Sequence, residues 1–287
     1  MLAIDITVAV PGTARVGEGP FWDPATSELT WVDILDGAIH TADPTRPHPR
    51  TTVLSTLVGA AVPKRSGGFV AATTEGFTDI RRDGSWTTRR TVLSPGRRMN
   101  DAKCDPAGRL WAGSCDLEFA PARGALHVLD SDWTVHHVLD DLTQPNGLGW
   151  SPDGRTLYLI DTVAREVNAF DLPRDRLALG NRRALARFPS GGGEPDGMAI
   201  DAEGCLWIAM WGGGRLVRLA PDGRLLSEVP LPVTQPSSCA FGGPDLDVLY
   251  VTTAREGLGP HPVGPAGSVL SVRGLGVRGL PVPRFGG

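Results

Sequence analysis

The sequence has almost no lysine, no run of basic residues and no long apolar stretch. Its net charge is −4, which argues against a nucleic-acid-binding surface. No segment approaches the roughly 18 apolar residues that would span a membrane. The first residues, M-L-A-I-D-I-T-V-A-V, lack the basic start and long apolar core of a secretion signal. We therefore expect a cytoplasmic protein without nucleic-acid or membrane partners.

Cysteine is also scarce, and its spacing excludes the common metal motifs. The four cysteines are Cys104, Cys115, Cys205 and Cys239, and no two of them form a C-x-x-C pair. Their neighbours are apolar and typical of strands. The pattern favours free, buried thiols over disulfides or a zinc site, and a reducing compartment.

Glycine and proline, in contrast, are abundant, with 37 and 25 residues among 287. They mark the turns of a repeated phrase, which reads D-P-A-G-R-L-W-A-G from Asp105, S-P-D-G-R-T-L-Y-L from Ser151 and D-A-E-G-C-L-W-I-A from Asp201. Each copy is a turn followed by a short alternating apolar run. This pattern predicts hairpins of short strands, and no amphipathic helical run competes with it.

The repeat occurs six times, with spacings of roughly 40 to 50 residues, which is typical of propeller blades. Its apolar anchors are Trp31, Val70, Trp111, Tyr158, Trp207 and Tyr250. We predict an all-β, six-bladed β-propeller with a central channel, formed as one domain by residues 1–287. The early segment Ile4 to Val10 is predicted to add an outer strand to the last blade and close the ring. Because a closed propeller needs no partner to cover its edges, we expect a monomer or weak homo-oligomer.

Four polar residues stand at nearly the same place in this repeat, at the start of the innermost strand. They are Glu18 in G-E-G-P-F-W, Asn100 in R-M-N-D-A-K, Asn146 in Q-P-N-G-L-G-W and Asp196 in E-P-D-G-M-A-I-D. Equivalent positions of a closed repeat meet at its axis. Two carboxylates and two amides meeting there would form a hard-oxygen site suited to Ca²⁺ or a similar cation.

A simpler interpretation treats these residues as turn formers, since Asn-Gly at 146 and Asp-Gly at 196 are ordinary turn dipeptides. Glu18 lies between glycines, however, and Asn100 precedes an acid. The four also share one register, which turn chemistry does not require. We therefore favour the site interpretation.

Taken in order along the whole chain, these motifs resemble the gluconolactonase and regucalcin (senescence marker protein) family. The resemblance is carried by G-E-G-P-F-W, R-M-N-D, D-P-A-G-R-L-W-A-G, P-N-G-L, P-D-G-M and S-C-A-F-G-G. It implies a six-bladed propeller that binds one divalent cation through Glu18, Asn146 and Asp196. It also implies substrate contacts by Arg98, Asn100 and Glu118.

The activity that the resemblance implies is hydrolysis of a sugar (aldono-) lactone to the aldonic acid. The cation would polarise the carbonyl, and Asp196 would take a proton from the attacking water or orient it. Ca²⁺ is the first expectation, with Zn²⁺, Mn²⁺, Mg²⁺ and Fe²⁺ as alternatives. Met99 stands where the family often has phenylalanine, and Ala102 where it often has glycine. We therefore expect these two residues to affect which lactone the pocket accepts.

Other functions remain open at this point. One is a non-catalytic, Ca²⁺-binding regucalcin-like propeller, and another is a metal-dependent esterase, phosphotriesterase or non-sugar lactonase. Arg98 and Asn100 favour an enzyme, because such groups are costly to bury without a ligand. No G-x-S-x-G motif indicates a serine nucleophile. His136 and His137 lie in an alternating run that predicts an outer strand, not a catalytic dyad.

Overall fold

The computed structural model describes residues 3–173 and 177–286, and these residues form six four-stranded antiparallel sheets. Twenty-four strands are present and, within the described ranges, no helix. The described residues thus include no helix that could cross a membrane. The predicted six-bladed β-propeller is confirmed.

Five of the blades are continuous in sequence, each running from the inner to the outer strand. The first contains β2 (Gly17–Asp23), β3 (Glu28–Asp33), β4 (Ala38–Asp43) and β5 (Arg46–Val53). The second contains β6 (Val58–Pro63), β7 (Phe69–Thr73), β8 (Gly76–Ile80) and β9 (Trp86–Thr91). The third contains β10 (Arg97–Cys104), β11 (Leu110–Asp116), β12 (Gly124–Leu129) and β13 (Val135–Leu142). The fourth contains β14 (Pro145–Trp150), β15 (Thr156–Asp161), β16 (Glu166–Asp171) and β17 (Gly180–Arg187). The fifth contains β18 (Glu194–Ile200), β19 (Leu206–Trp211), β20 (Arg215–Leu219) and β21 (Leu225–Pro230).

The sixth blade joins the two ends of the chain. It contains β22 (Pro236–Gly242), β23 (Val248–Thr253) and β24 (Val269–Arg273), and its outer strand is β1 (Asp5–Val10). The pairing is antiparallel, with Asp5 opposite Arg273 and Val8 opposite Leu270. The predicted closure by the N-terminal segment is confirmed.

In two copies of the repeated phrase, the aspartate that begins the turn forms a hydrogen bond with the tryptophan of the next strand. In the third blade, Asp105 accepts hydrogen bonds from the backbone N–H groups of Ala107 (2.9 Å) and Arg109 (3.0 Å) and from Trp111 Nε1 (2.9 Å). In the fifth blade, Asp201 accepts the same bond from Trp207 Nε1 (3.0 Å). The turn and the anchor of the next strand are therefore fixed by one buried carboxylate.

Apolar side chains pack between neighbouring blades, and the predicted anchors lie in these layers. Trp111 and Val70 are fully buried, and Trp207 is nearly so. All four cysteines are free and buried, as predicted.

The C-terminal segment after β24 crosses one end of the channel. Ala202 of the fifth blade donates its backbone N–H to Arg278 O (2.8 Å), and Phe285 donates to Pro63 O of the second blade (3.0 Å). Gly286 donates to Gly108 O of the third blade (3.0 Å). We call residues 278–286 the C-terminal strap.

Candidate functional site

The four polar residues of the repeat lie near the beginning of four inner strands, β2, β10, β14 and β18. Each inner strand contacts the inner strands of the blades on both sides, so these positions surround the channel. All four side chains are buried: Glu18, Asn100, Asn146 and Asp196. The fold therefore places them at one end of the channel, as the repeat predicts.

A bulge marks this position in every blade. The register between the inner strand and its neighbour shifts between Met99 and Ala102, between Pro145 and Leu148, and between Pro195 and Met198. Corresponding shifts occur in the first, second and sixth blades. A bulge inserts an extra residue and re-aims the side chains around it. Asn100, Asn146 and Asp196 each lie inside such a bulge, and Glu18 borders one.

The glycines that follow Asn146 and Asp196 do not form turns. Neither Gly147 nor Gly197 has a positive φ, and both lie within inner strands. A Cβ on Gly147 would lie 2.6 Å from Asp196 O, and one on Gly197 would lie 2.6 Å from Ser238 Cα. Glycine is needed because neighbouring inner strands approach closely here. The turn interpretation of these dipeptides is wrong.

Asn146 and Asp196 are in direct contact. Asn146 Nδ2 donates to Asp196 Oδ1 and to Thr162 Oγ1 (3.1 Å), and Thr162 Oγ1 donates to Pro195 O (2.8 Å). Since these bonds use the amide nitrogen, the carbonyl oxygen of Asn146 is the atom left to bind a ligand. Thr162 was not singled out in the sequence, because it directly follows β15 and lies outside the repeated position.

Arg98 and Asn100 are held together on β10. Arg98 donates to Asn100 Oδ1 (2.6 Å) and to Met99 O (3.1 Å), and its guanidinium lies 5.8 Å from the ring centre of Phe119. Asn100 Nδ2 donates to Pro145 O (2.9 Å). The pair thus connects the third and fourth blades and presents a buried positive charge beside the acidic residues.

Three carboxyl groups share this part of the channel, those of Glu18, Asp101 and Asp196. Burial and the neighbouring Asp101 raise the pKa of Glu18 to about 8. Burial, followed by the charges of Glu18 and Asp101, raises the pKa of Asp196 well above its usual range. Burial also raises the pKa of Asp101, against the opposing charge of Lys103. Buried carboxyl groups with perturbed pKa values are typical of functional sites, and a bound cation would favour their ionised forms.

Sequence reasoning missed Asp101 and Lys103 as members of this group. Both lie on β10, and Lys103 Nζ donates to Met198 O of the fifth blade (2.6 Å). The signal was present in R-M-N-D-A-K, where the acid follows Asn100 directly. A bulge places both residues of the Asn100–Asp101 pair where a regular strand would turn one of them away.

The chemistry of the donor set fits a divalent cation. Glu18 and Asp196 offer carboxylates, and Asn146 offers an amide oxygen, which are the ligands that hard cations such as Ca²⁺ prefer. The pKa values of Glu18 and Asp196 are raised because burial and neighbouring charges make their ionised forms unfavourable in the metal-free fold. A bound dication would offset that cost.

Glu118, the third predicted substrate-contacting residue, is not buried with the others. It is exposed, in the turn after β11, and its backbone N–H donates to Asp116 Oδ1 (2.9 Å). The fold therefore unites Glu18, Arg98, Asn100, Asn146 and Asp196, and leaves Glu118 on the surface.

Two other groups that could suggest chemistry have structural explanations. Asp201, Glu203 and Cys205 lie close enough to hold a metal ion, but Asp201 already accepts hydrogen bonds from Trp207 and from Arg218 Nη2 (2.6 Å). His136 and His137 lie on the outer strand β13, as predicted.

Known proteins with the same sequence pattern identify the family. A family model described as "SMP-30/Gluconolactonase/LRE-like region" matches residues 16–255. The chain belongs to this family. Regucalcin from Oryctolagus cuniculus is 37% identical over 300 residues, covering 100% of both chains. The resemblance inferred from the motifs is confirmed.

Solved structures agree over almost the full length. A luciferin-regenerating enzyme superposes with a TM-score of 0.92 and 31% identity, covering 99% of this chain and 100% of that one. A calcium-binding protein, regucalcin, from Agrobacterium tumefaciens superposes with a TM-score of 0.89 and 27% identity, covering 99% and 97%.

Proposed function

We propose that this protein is a divalent-cation-dependent lactonase that hydrolyses a sugar lactone to its aldonic acid. The observation that carries the proposal is the buried group of Glu18, Asn146 and Asp196 at the bulged ends of the inner strands, with Arg98 and Asn100 beside it. Membership of a family that includes gluconolactonases supports it. The description of the Agrobacterium relative as a calcium-binding protein supports Ca²⁺ as the cation.

In this proposal Glu18, Asn146 and Asp196 hold the cation. When bound, the cation supplies Lewis acidity toward the lactone carbonyl and lowers the pKa of water. Glu18 and Asp196 provide the negative charge that retains it, while Asn146 provides a neutral oxygen. Thr162 keeps Asn146 oriented, since it accepts the amide hydrogen bond and is itself anchored to Pro195.

Asp196 accepts the proton from the attacking water or orients that water for attack. Its contact with Asn146 fixes the carboxylate in place. The two roles differ in whether the proton moves onto Asp196, and kinetics as a function of pH distinguishes them.

Arg98 and Asn100 bind the sugar hydroxyls. A guanidinium donates several hydrogen bonds in one plane, and an amide both donates and accepts, which suits a polyol. The bond between Arg98 and Asn100 holds both groups in position before the substrate arrives. A non-sugar lactone would lack the hydroxyl groups that Arg98 and Asn100 are suited to bind.

The deciding experiment measures acid release from a panel of aldonolactones by protein stripped of metal and then supplied with Ca²⁺, Zn²⁺, Mn²⁺, Mg²⁺ or Fe²⁺ in turn. We expect cation-dependent hydrolysis of at least one lactone. Tight cation binding with no hydrolysis of any lactone would contradict the proposal and favour a non-catalytic calcium-binding protein. Hydrolysis of aryl esters or phosphotriesters alone would favour the esterase alternative.

A further inference from the structure

The sequence contains two lysines, Lys64 and Lys103, and the structure compensates their charges in different ways. The ammonium group of Lys64 contacts the carboxylate of Asp79 directly. The half-buried Lys103, in contrast, forms no ion pair with any residue that the structure describes, and its ammonium group donates a hydrogen bond to Met198 O (2.6 Å). A carbonyl oxygen carries only a partial charge, so the charge of Lys103 is not neutralised by contact.

The position of Lys103 brings this charge close to the acidic residues of the channel. Lys103 follows Asp101 by two residues on β10, and Met198 follows Asp196 by two residues on β18. The hydrogen bond between Lys103 and Met198 therefore joins two strands that each carry one of the buried carboxyl groups. Burial raises the pKa values of Glu18 and Asp101, and the positive charge of Lys103 opposes that rise in both. Lys103 thus supplies positive charge to the acidic group through space.

Lys103 also lines a cavity beneath the C-terminal strap. The cavity has a volume of about 370 Å³, and its mostly apolar wall includes Ala102 to Cys104 from β10 and Leu280 to Pro283 from the strap. Among the described residues that line it, Asp101 and Lys103 are the only charged ones. No second counter-charge therefore reaches the acidic group from this side of the channel. In such apolar surroundings, the interaction between charges is stronger than in water.

The charges around the candidate cation site show what Lys103 does to the affinity for a cation. The carboxyl groups of Glu18, Asp101 and Asp196 interact with two cationic side chains, those of Arg98 and Lys103. With all three acids ionised, the group has one net negative charge when it is metal-free and one net positive charge when it holds a dication. Without Lys103, a dication would balance the charge of the group. Lys103 therefore stabilises the empty site and opposes the cation.

We propose that Lys103 is a built-in counter-charge of the cation site, which stabilises the metal-free acidic group and limits the affinity for the divalent cation. A cation held against this charge dissociates more readily than one held by the acids alone. Lys103 contacts neither the predicted ligands nor the substrate-binding pair, so it acts on the site through its charge. The inference rests on the cation site of the proposed function and does not depend on which lactone is hydrolysed.

The test is calorimetric titration of the metal-free full chain with Ca²⁺ at pH 9, above the raised pKa of Glu18 of about 8. Lys103→Met and Lys103→Gln both remove the charge, and they should tighten Ca²⁺ binding about tenfold or more. Lys103→Gln keeps an N–H donor, so a gain that both variants share comes from the charge and not from the lost hydrogen bond. Lys103→Arg keeps the charge and should stay within about threefold of the unmodified chain.

Two further readouts separate a charge effect from a structural one. Repulsion grows with the charge of the cation, so Lys103→Met should tighten the binding of Tb³⁺, a trivalent ion that takes oxygen ligands, more than that of Ca²⁺. A substitution that merely loosened the fold would weaken both. The unfolding temperature of the metal-free protein should fall in Lys103→Met and Lys103→Gln, and Ca²⁺ should raise it more than in the unmodified chain.

Lys64→Met is the matched control, because it removes the same charge from a lysine that directly follows β6 and contacts Asp79. It should leave the affinity for Ca²⁺ unchanged. Unchanged or weaker Ca²⁺ binding by both Lys103→Met and Lys103→Gln, or equal tightening by Lys64→Met, would overturn this inference alone. Absence of Ca²⁺ binding by the unmodified chain would overturn the proposed Ca²⁺ site and this inference with it.

Discussion

The two halves of each inner strand differ in geometry and in chemistry. In the first half of β10 the register shifts at Asn100 and Asp101, and polar side chains enter the channel. In the second half, Ala102 to Cys104 pair regularly with β11 and line a mostly apolar cavity. The same division recurs in β14 and β18. In these three strands the buried polar residues of the candidate site coincide with the register shift.

The largest effect is expected from removing the acid at the bulge of β18. Asp196→Ala should lower lactone turnover by roughly 10²–10⁴-fold, because it removes a predicted cation ligand and the group that handles the water proton. Steady-state kinetics with saturating Ca²⁺ measures this. Asp153→Asn, in the exposed turn between β14 and β15, is the control and should keep full activity. An Asp196→Ala protein with unchanged turnover would contradict the assignment.

A change in the bulge backbone should reduce stability and activity together. Gly147→Ala places a Cβ 2.6 Å from Asp196 O and from Met198 N, both backbone atoms. We expect it to lower the free energy of unfolding by about 1–3 kcal/mol and to displace Asp196. Denaturant titration and kinetics measure the two effects.

Gly180→Ala is the matched control for this substitution. Gly180 begins the exposed strand β17, and the nearest atom to its added Cβ is Asp171 O at 3.9 Å. Its stability should be unchanged or raised by less than about 1 kcal/mol, through the lower entropy of the unfolded chain. Equal destabilisation by both substitutions would mean that close approach at the bulge is unimportant.

The features that the sequence predicted correctly are those marked by the same kind of residue in each copy of the repeat. The glycines and prolines of the repeated phrase predicted its turns, and its apolar residues predicted the anchors. The hydrogen bonds from Trp111 to Asp105 and from Trp207 to Asp201 show how the turn and the anchor are joined. The shared register of Glu18, Asn100, Asn146 and Asp196 predicted that they would meet, and they do. The bulges themselves could not be predicted, because an extra residue is defined only against the partner strand. For that reason Asp101 and Lys103 were missed.

The raised pKa of Glu18 predicts how pH affects the metal-free protein. Its pKa rises from 4.5 to about 8 in the fold, so the folded chain holds this proton more tightly than the unfolded chain. Its contribution to stability is complete below pH 4.5 and is lost as pH rises through 8. The unfolding temperature of metal-free protein should therefore fall across this window, and less steeply in Glu18→Gln.

Addition of Ca²⁺ sharpens this prediction. Because the cation binds the ionised carboxylates, it should raise the unfolding temperature of the unmodified chain more at pH 8 than at pH 5. The same comparison with Glu18→Gln should give a smaller rise. If Glu18→Gln reproduced the pH profile and the Ca²⁺ response of the unmodified chain, Glu18 would belong to neither the buried acidic group nor the cation site.

The smallest effect is expected at Glu118, which the resemblance to the family suggested as a substrate contact. Glu118 is exposed in the turn after β11, so it belongs to neither half of an inner strand. A hydrogen bond from an exposed side chain replaces one to water and can contribute as little as about 0.5 kcal/mol, so Glu118→Gln should alter kcat/KM by about twofold. Arg98→Lys is the comparison variant, since it keeps the charge but loses the planar donors that reach Asn100. A loss in Glu118→Gln as large as in Arg98→Lys would mean that the turn after β11 closes over the bound lactone.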